Sequence, residues 1–235
     1  MKMLDRIDCL DWTATHACLD TNGYACLPGL LNHEECRYIA DMYAAPDIRF
    51  RSTINMARYN FGRGEYKYFG YPLPDIITQL RSTFYPHLAA IANTWERHLG
   101  SDEHWPETLD LLLERCHRTK QLRPTPLLLR YGMGGYNCLH QDLYGKIHFP
   151  LQAIIQLSAP EEFSGGELIL VEQRPRMQSR PMVIPLDQGS AAIIPVRDRP
   201  VKSSRGWRRN QIRHGVSEVT QGVRQTLGLI FHDAE

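Results

Sequence analysis

No pair among the six cysteines, at positions 9, 18, 26, 36, 116 and 138, has the Cys-x-x-Cys spacing. That excludes the common thiolate zinc sites and offers no disulfide framework, so free thiols buried in a reducing cytoplasm are the expectation. Long apolar runs are missing too. The longest stretch without Lys, Arg, Asp or Glu, Ile147 to Pro160, contains His148, two Gln and two Pro, and it falls well short of the roughly 20 apolar residues of a membrane helix. Lys2, Asp5, Arg6 and Asp8 crowd the first residues, which have no apolar core or small-residue cleavage site, so no signal peptide is expected. Charge of one sign is not in excess, with 27 basic side chains against 26 acidic ones and a net charge of +1. This excludes a chain that is basic throughout but not a local basic patch.

What remains is a chain of 235 residues, 43% hydrophobic, enough to bury the core of a single globular domain spanning 1–235. Its two parts differ in texture: 1–122 reads as mainly helical support and 123–235 as a strand-rich core, an α+β chain. In His33 to Ala44 the set Cys36, Ile39, Ala40 and Tyr43 follows helical spacing, with Asn32 as N-cap and Glu35 completing a capping box. Asp75 to Leu99 repeats Ile77, Leu80, Phe84, Leu88, Ile91 and Trp95, with Pro86 expected to kink or split the helix. A third helix is expected from Pro106 to His117.

From Arg123 onward, short apolar runs alternate with Gly and Pro. The runs are Leu127 to Tyr131, Leu151 to Ser158, Glu167 to Glu172, Met182 to Pro185, Ala191 to Val196, Arg213 to Val219 and Val223 to Phe231. Seven such runs predict a β-sandwich or barrel, with the helices packed outside it. In Leu151 to Ser158, alternation sends Gln152, Ile154, Gln156 and Ser158 to one face. That half-polar face suits either the wall of a lined cavity or solvent.

His140-Gln141-Asp142 has a spacing that turns two ligands to one side of an extended segment. The chain holds two His-x-Asp/Glu triplets where about one is expected by chance, so context decides. His33 and Glu35 lie in the first turn of a helix, where residues two apart do not share a face, and His33 is read as structural. His140 instead follows a strand and the turn Gly132 to Gly135. Two histidines and one carboxylate leave open coordination positions, as in non-heme Fe(II) oxygenases. Of the downstream candidates, His148 is too close in sequence, and only three residues follow His232, whereas His214 begins a strand. If Thr220-Gln221-Gly222 closes a hairpin pairing Val219 with Val223, His214 and Arg224 share a face about 13 Å apart. The guanidinium fork of Arg224 suits a carboxylate. The turn at Gly132 to Gly135 lacks the third glycine of a dinucleotide fingerprint, so no NAD site is expected.

With these residues in view, the stretch from about Pro124 to Ala234 resembles the Fe(II)- and 2-oxoglutarate-dependent dioxygenases of the AlkB and prolyl-hydroxylase type. The likeness runs through His140-x-Asp142, the turn Gly165-Gly166-Glu167-Leu168, His214, Arg224 ten residues later, and Tyr131 nine residues before His140. A closer resemblance, to a bacterial oxygenase family proposed to remove alkyl damage from nucleic acid, is carried by five segments. They are Arg63 to Phe69, Arg123 to Leu129, His140 to Tyr144, Glu172 to Arg176 and Phe231 to Ala234. The resemblance implies a double-stranded β-helix (a cupin-like jelly roll), iron held by His140, Asp142 and His214, and 2-oxoglutarate held by Arg224 and Tyr131. It also implies consumption of O2 to hydroxylate a C–H bond, with formaldehyde released if the carbon is an N-methyl group. Two positions depart from the AlkB pattern: Ile230 stands where a second arginine is found, and Leu129 where an asparagine is found.

The segment Arg197 to Arg213 carries seven basic residues against Asp198, a local +6 that leaves about −5 for the rest. Read as a loop with Trp207 for stacking and Arg208 and Arg209 for phosphates, it could receive a nucleic-acid strand, extended by Arg174, Arg176 and Arg180. A solvated loop or a site for an anionic metabolite fits equally. Three readings therefore stand: an oxygenase acting on nucleic acid, the same catalyst hydroxylating a protein side chain or small metabolite, and a non-catalytic β-sandwich binding module. The sequence leaves oligomeric state open.

Overall fold

The computed structural model describes residues 3–174, 176–204 and 206–235. Pro175, within the Glu172 to Arg176 segment, Arg205, one of the seven basic residues of Arg197 to Arg213, and Lys2 lie outside the described residues. The chain begins with helices α1 (Met3–Asp8) and α2 (Trp12–Asn22), strand β1 (Ala25–Leu27) and helix α3 (His33–Asp41). Strand β2 (Phe50–Asn55), a 3-10 turn (Met56–Tyr59), β3 (Gly62–Arg63) and β4 (Glu65–Phe69) follow, then α4 (Asp75–His98) and α5 (Leu109–Arg118). The remainder is strand: β5 (Leu127–Tyr131), β6 (Tyr136–His140), β7 (Leu151–Gln156), β8 (Phe163–Gly165), β9 (Leu168–Gln173), β10 (Arg180–Ile184), β11 (Ala191–Pro195), β12 (Asp198–Ser203), β13 (Gly206–Val216), β14 (Val219–Gly222) and β15 (Arg224–Ile230).

Seven strands form one antiparallel sheet in the order β1-β11-β7-β15-β5-β4-β2. A second runs β10-β9-β13-β6-β3, with β12 beside β13. Strand alternation divides the large sheet into two working faces. Leu151, Ala153, Ile155, Ile193, Leu227 and Leu229 join the main core with Ile77, Phe84, Tyr85, Leu88 and Trp95 of α4. The opposite face presents Gln152, Ile154, Thr226 and Gly228 to the second sheet, where they line a pocket with His140 and His214. Gln152, Gln156 and Ser158 are all buried, so the half-polar side of β7 is not a solvent face. Gln152 and Ile154 form the pocket wall, while Gln156 and Ser158 donate to the Ser158 and Val223 carbonyls, respectively.

Several expectations need correction. Beside the helices α1 to α5 that dominate the N-terminal part, the strands β1 to β4, unforeseen in the sequence, extend both sheets; these strands are short and lack a strong period. Pro86 does not split its helix, which is continuous through Asp75–His98. Burial of one long face of α4 against the core, at about 1.5–3 kcal/mol per large side chain, outweighs the roughly 3 kcal/mol cost of an internal proline. The third helix starts at Leu109, after Thr108, because Trp105 and Pro106 are spent on contacts: the Trp105 N–H donates to Asn93 and the Pro106 carbonyl accepts from the Tyr85 hydroxyl. The capping box at Asn32 and Glu35 is present as expected.

All six cysteines are free, but only Cys36 and Cys116 are buried and the other four are exposed. The expected hairpin between Arg213 to Val219 and Val223 to Phe231 does not form. Val219–Gly222 is itself a strand paired with β8, and it carries the chain from the second sheet to the first. The basic segment is no loop but the β12–β13 hairpin. Among the described residues no helix is long and apolar enough to cross a membrane.

Candidate metal and cosubstrate site

His140 closes β6, and His214 on β13 is its direct register partner, so strand pairing alone sets the two imidazoles side by side. Their ring centroids are 4.3 Å apart. The register shifts just after His214, and a Cβ on Gly215 would meet the Asn137 carbonyl at 2.7 Å. Only glycine permits this approach, and the bulge turns His214 inward. Asp142, two residues past His140, completes the group: His214 Nε2 lies 3.2 Å from Asp142 Oδ2 and His140 Nε2 3.6 Å from Oδ1. One ligand atom from each of the three residues falls within 4.8 Å of the others.

The surroundings prepare these groups for a cation. His140 Nδ1 is 2.8 Å from the Cys138 carbonyl and donates to it, which leaves the Nε2 lone pair facing Asp142. Burial, then the neighbouring His214, lowers the pKa of His140 and keeps its ring neutral. Burial by itself would raise the Asp142 carboxyl. His214, His140 and a hydrogen bond from the Tyr144 hydroxyl outweigh it and hold the acid well below the usual carboxylate range. The neutral His140 ring and the His214 imidazole beside an ionised carboxylate, with open positions toward a cleft, suit Fe(II).

Arg224 stands at the other end of the pocket. Its register partner on β5 is Tyr131, and its guanidinium lies 6.0 Å from that ring's centre. The second glycine of the Gly165-Gly166 turn, at φ +67°, packs where a Cβ would strike the Arg224 side chain at 2.9 Å. Arg224 is 2% exposed and makes no ion pair among the described residues. Burial pulls its pKa down to about 10, yet it stays cationic at neutral pH. A buried, unpaired guanidinium calls for an anion. Burial raises the Tyr131 hydroxyl, which therefore stays protonated as a neutral neighbour. Gln152, 2% exposed, lines the same pocket, and its Nε2 has no hydrogen-bond partner.

Outside the triad the pocket opens into a cleft of about 340 Å³ walled by Phe61, Tyr66, Tyr68, Leu129, Leu139 and Tyr144, with His140 and Asp142 on its floor.

A family described as an oxygenase catalysing oxidative methylation of damaged DNA matches residues 64–234. The chain belongs to this Oxygenase-NA family. It is therefore an oxygenase, an oxidoreductase, and iron(II), 2-oxoglutarate and O2 are the cofactor set that its donor groups call for. An uncharacterized Mycobacterium tuberculosis protein, found in strains H37Rv and CDC 1551, is 45% identical over 196 residues, covering 81% of this chain and 84% of its own. Among solved structures, a Pseudomonas putida prolyl-4-hydroxylase is similar in fold, with TM-score 0.57 at 14% identity, over 95% of this chain and 100% of that one. An oxidoreductase of the 2OG-Fe(II) oxygenase family from Burkholderia pseudomallei gives 0.56 at 14% identity, over 96% and 94%. A Trichoplax adhaerens prolyl hydroxylase gives 0.54 at 14% identity, over 97% and 91%.

Not every expected site residue of this Oxygenase-NA member lies at the triad. Trp207 stacks on His98 at the end of α4, centroids 3.8 Å apart and planes 9° from parallel. Arg209 and Arg197 both pair with Asp198 and line a separate cleft of about 280 Å³. Arg199 is buried against Glu172, which also takes Arg174 and Asn210. The local charge is thus partly spent on the fold, and Lys202, Arg208 and Arg213 are the exposed cations of the segment that make no ion pair among the described residues. His33 contacts Gln188, as a structural residue would. His232 is fully buried and accepts from the Phe149 N–H, away from the triad.

Sequence reasoning gave no role to Tyr144, Tyr68, Phe61 or Asn137. The first two were visible inside quoted motifs, but a hydroxyl aimed at Asp142 has no spacing signature.

Proposed function

We propose that this protein is an Fe(II)- and 2-oxoglutarate-dependent dioxygenase that hydroxylates a C–H bond of alkylated nucleic acid. The observation that carries the reading is the convergence, in one pocket, of the His140–Asp142–His214 donors and the buried, unpaired Arg224. The two facing sheets are read as a double-stranded β-helix within a single domain spanning 1–235.

His140, Asp142 and His214 would hold the iron, and Arg224 would bind the distal carboxylate of 2-oxoglutarate beside the Tyr131 hydroxyl. Iron, 2-oxoglutarate and O2 supply the oxidising power, with succinate and CO2 as coproducts. The chain supplies binding and orientation. Arg224 neutralises the dicarboxylate in a dry pocket, the free Gln152 Nε2–H is a further donor to its contents, and the apolar walls exclude water. An N-methyl carbon that gains a hydroxyl becomes a hemiaminal, which releases formaldehyde and restores the N–H. The family description and the exposed cations Lys202, Arg208 and Arg213 support a polyanionic substrate.

A second reading, hydroxylation of a protein side chain or small metabolite, is favoured by two apolar positions. Ile230 is buried with Tyr68 and Leu127, and Leu129 lines the cleft, where the AlkB demethylases have polar side chains. The test is succinate formation dependent on Fe(II) and 2-oxoglutarate, with formaldehyde measured on methylated single-stranded DNA. His140→Ala and Asp142→Ala should abolish both, and unchanged turnover in either variant would overturn the site. Succinate without formaldehyde on any methylated strand favours the second reading.

A further inference from the structure

The stretch from Ile48 to Gly64 carries four arginines and no carboxylate. It folds as β2, the 3-10 turn and β3, and at its tip the Tyr59 and Phe61 rings stack with centroids 5.5 Å apart and planes 20° from parallel. These rings are 55% and 47% exposed. Large aromatics held together in water mark a binding surface when the backbone beneath them is fixed, and here it is fixed. Met56 is fully buried, and the Asn55 side chain accepts the Ala57 N–H. Asn60 is left-handed, and its N–H and that of Phe61 both donate to the Met56 carbonyl. The Phe61 carbonyl accepts the Cys138 N–H at 2.8 Å, which ties the tip to the strand ending in His140. Phe61 is also part of the cleft wall above His140 and Asp142. Arg58 and Arg63 beside the rings are exposed and make no ion pair among the described residues.

We propose that Tyr59 and Phe61 form a stacking platform for a base of single-stranded nucleic acid next to the reacting nucleotide, with Arg58 and Arg63 meeting its phosphates. The proposal rests on the nucleic-acid part of the function above and deepens it. Every base has a flat π-face, so a rigid pair of parallel rings takes any sequence. In a duplex those faces are covered by neighbouring bases, so the platform selects unpaired strand. A local charge that is all positive complements a polyanion.

The test is fluorescence anisotropy of the full chain with a short single-stranded oligonucleotide, its abasic counterpart and its duplex. Tyr59→Ala/Phe61→Ala should weaken binding to the base-bearing strand by about tenfold with an unchanged urea midpoint, because both side chains are on the surface. The ring-preserving pair Tyr59→Phe/Phe61→Tyr should bind as the native chain does, and Arg58→Gln/Arg63→Gln should flatten the salt dependence. Equal binding by the double alanine variant, or equal binding of the abasic strand by the native chain, overturns the platform and leaves the nucleic-acid reading in place. A native chain that forms succinate but binds no oligonucleotide overturns both.

Discussion

The Tyr144 hydroxyl donates a hydrogen bond of 2.7 Å to Oδ1 of Asp142. It accepts one in turn from the Tyr68 hydroxyl at 2.9 Å, and the Tyr144 carbonyl is held by Gln121 Nε2 at 3.0 Å. Gln121 is fully buried and also binds the Ile147 carbonyl and the Lys146 and Ile147 N–H groups. The segment after Asp142 is thus clamped from the protein interior, and one carboxylate oxygen is occupied by a phenol.

Tyr144→Phe removes that bond while leaving the ring in place. Loss of such a support to a metal ligand typically weakens metal binding about 10- to 100-fold, whereas one neutral hydrogen bond contributes only about 1 kcal/mol to folding. Anaerobic Fe(II) titration should therefore show a large loss of affinity with a small shift in the urea midpoint. Native metal affinity in the variant would assign Tyr144 to packing alone.

Arg224 makes the second prediction. Replacing it with Leu removes a buried charge-assisted contact, worth about 1.5–3 kcal/mol, so 2-oxoglutarate should bind about 10- to 100-fold more weakly to the metal-loaded protein. Lys keeps the charge but loses the fork and should recover only part of this. Because burial lowers this guanidinium to about 10, it is protonated below that pH and loses its charge above it. Cosubstrate affinity should be flat from pH 7 to 9 and fall as the pH approaches about 10. Calorimetric titration checks both points: native affinity in the Leu variant would contradict the assignment, and a flat profile through pH 10 would contradict the lowered pKa.

The parts of this site that strand periodicity encodes were legible in the sequence. His140 with Asp142 leaves a pattern of spacing and the half-polar face of β7 one of composition, although alternation alone did not choose between a cavity wall and solvent for that face. The close approach of Gly166 to Arg224 left no pattern. Arg224 was placed near His214 through a hairpin that does not exist, yet both residues do line one pocket, because β13 and β15 lie in facing sheets. The same face assignment arose from the wrong connection. Trp207 and Arg209 have partners that the sequence does not show: it displays charge and aromaticity, but not the His98 ring stacked on one or the Asp198 carboxylate paired with the other. The N-terminal strands were invisible because their stability comes from pairing, β1 with β11, β3 with β6, β4 with β5 and β2 with β4, and not from any period of their own.

A buried ion pair anchors α4 to the end of the large sheet. Arg81 donates to Asp233 at 2.9 Å and to the Ile230 and Phe231 carbonyls, while Tyr71 donates to the same carboxylate and His117 lies 3.0 Å from it. Both Arg81 and Asp233 are buried. Asp233→Ala leaves the guanidinium without its anion and should cost about 3–5 kcal/mol. Urea unfolding monitored by circular dichroism measures this, and a loss below about 1 kcal/mol, the scale of an exposed pair, would show that the pair is solvated.

His232 predicts the acid limb of stability. Burial, then His148 and Arg81, lowers its pKa to about 3, whereas an unfolded histidine titrates near 6.5. The folded state therefore holds a neutral ring between these values, while the unfolded state binds a proton. The stabilisation is complete above about pH 6.5 and is lost as the pH falls toward 3, with a slope of at most about 1.4 kcal/mol per unit from this residue. Asn in its place keeps an acceptor for the Phe149 N–H but does not titrate. His232→Asn should lower the overall stability through lost packing and flatten its decline between pH 6.5 and 4, as read from urea midpoints at each pH. A variant whose curve runs parallel to that of the native chain across this window would assign the acid sensitivity to other groups.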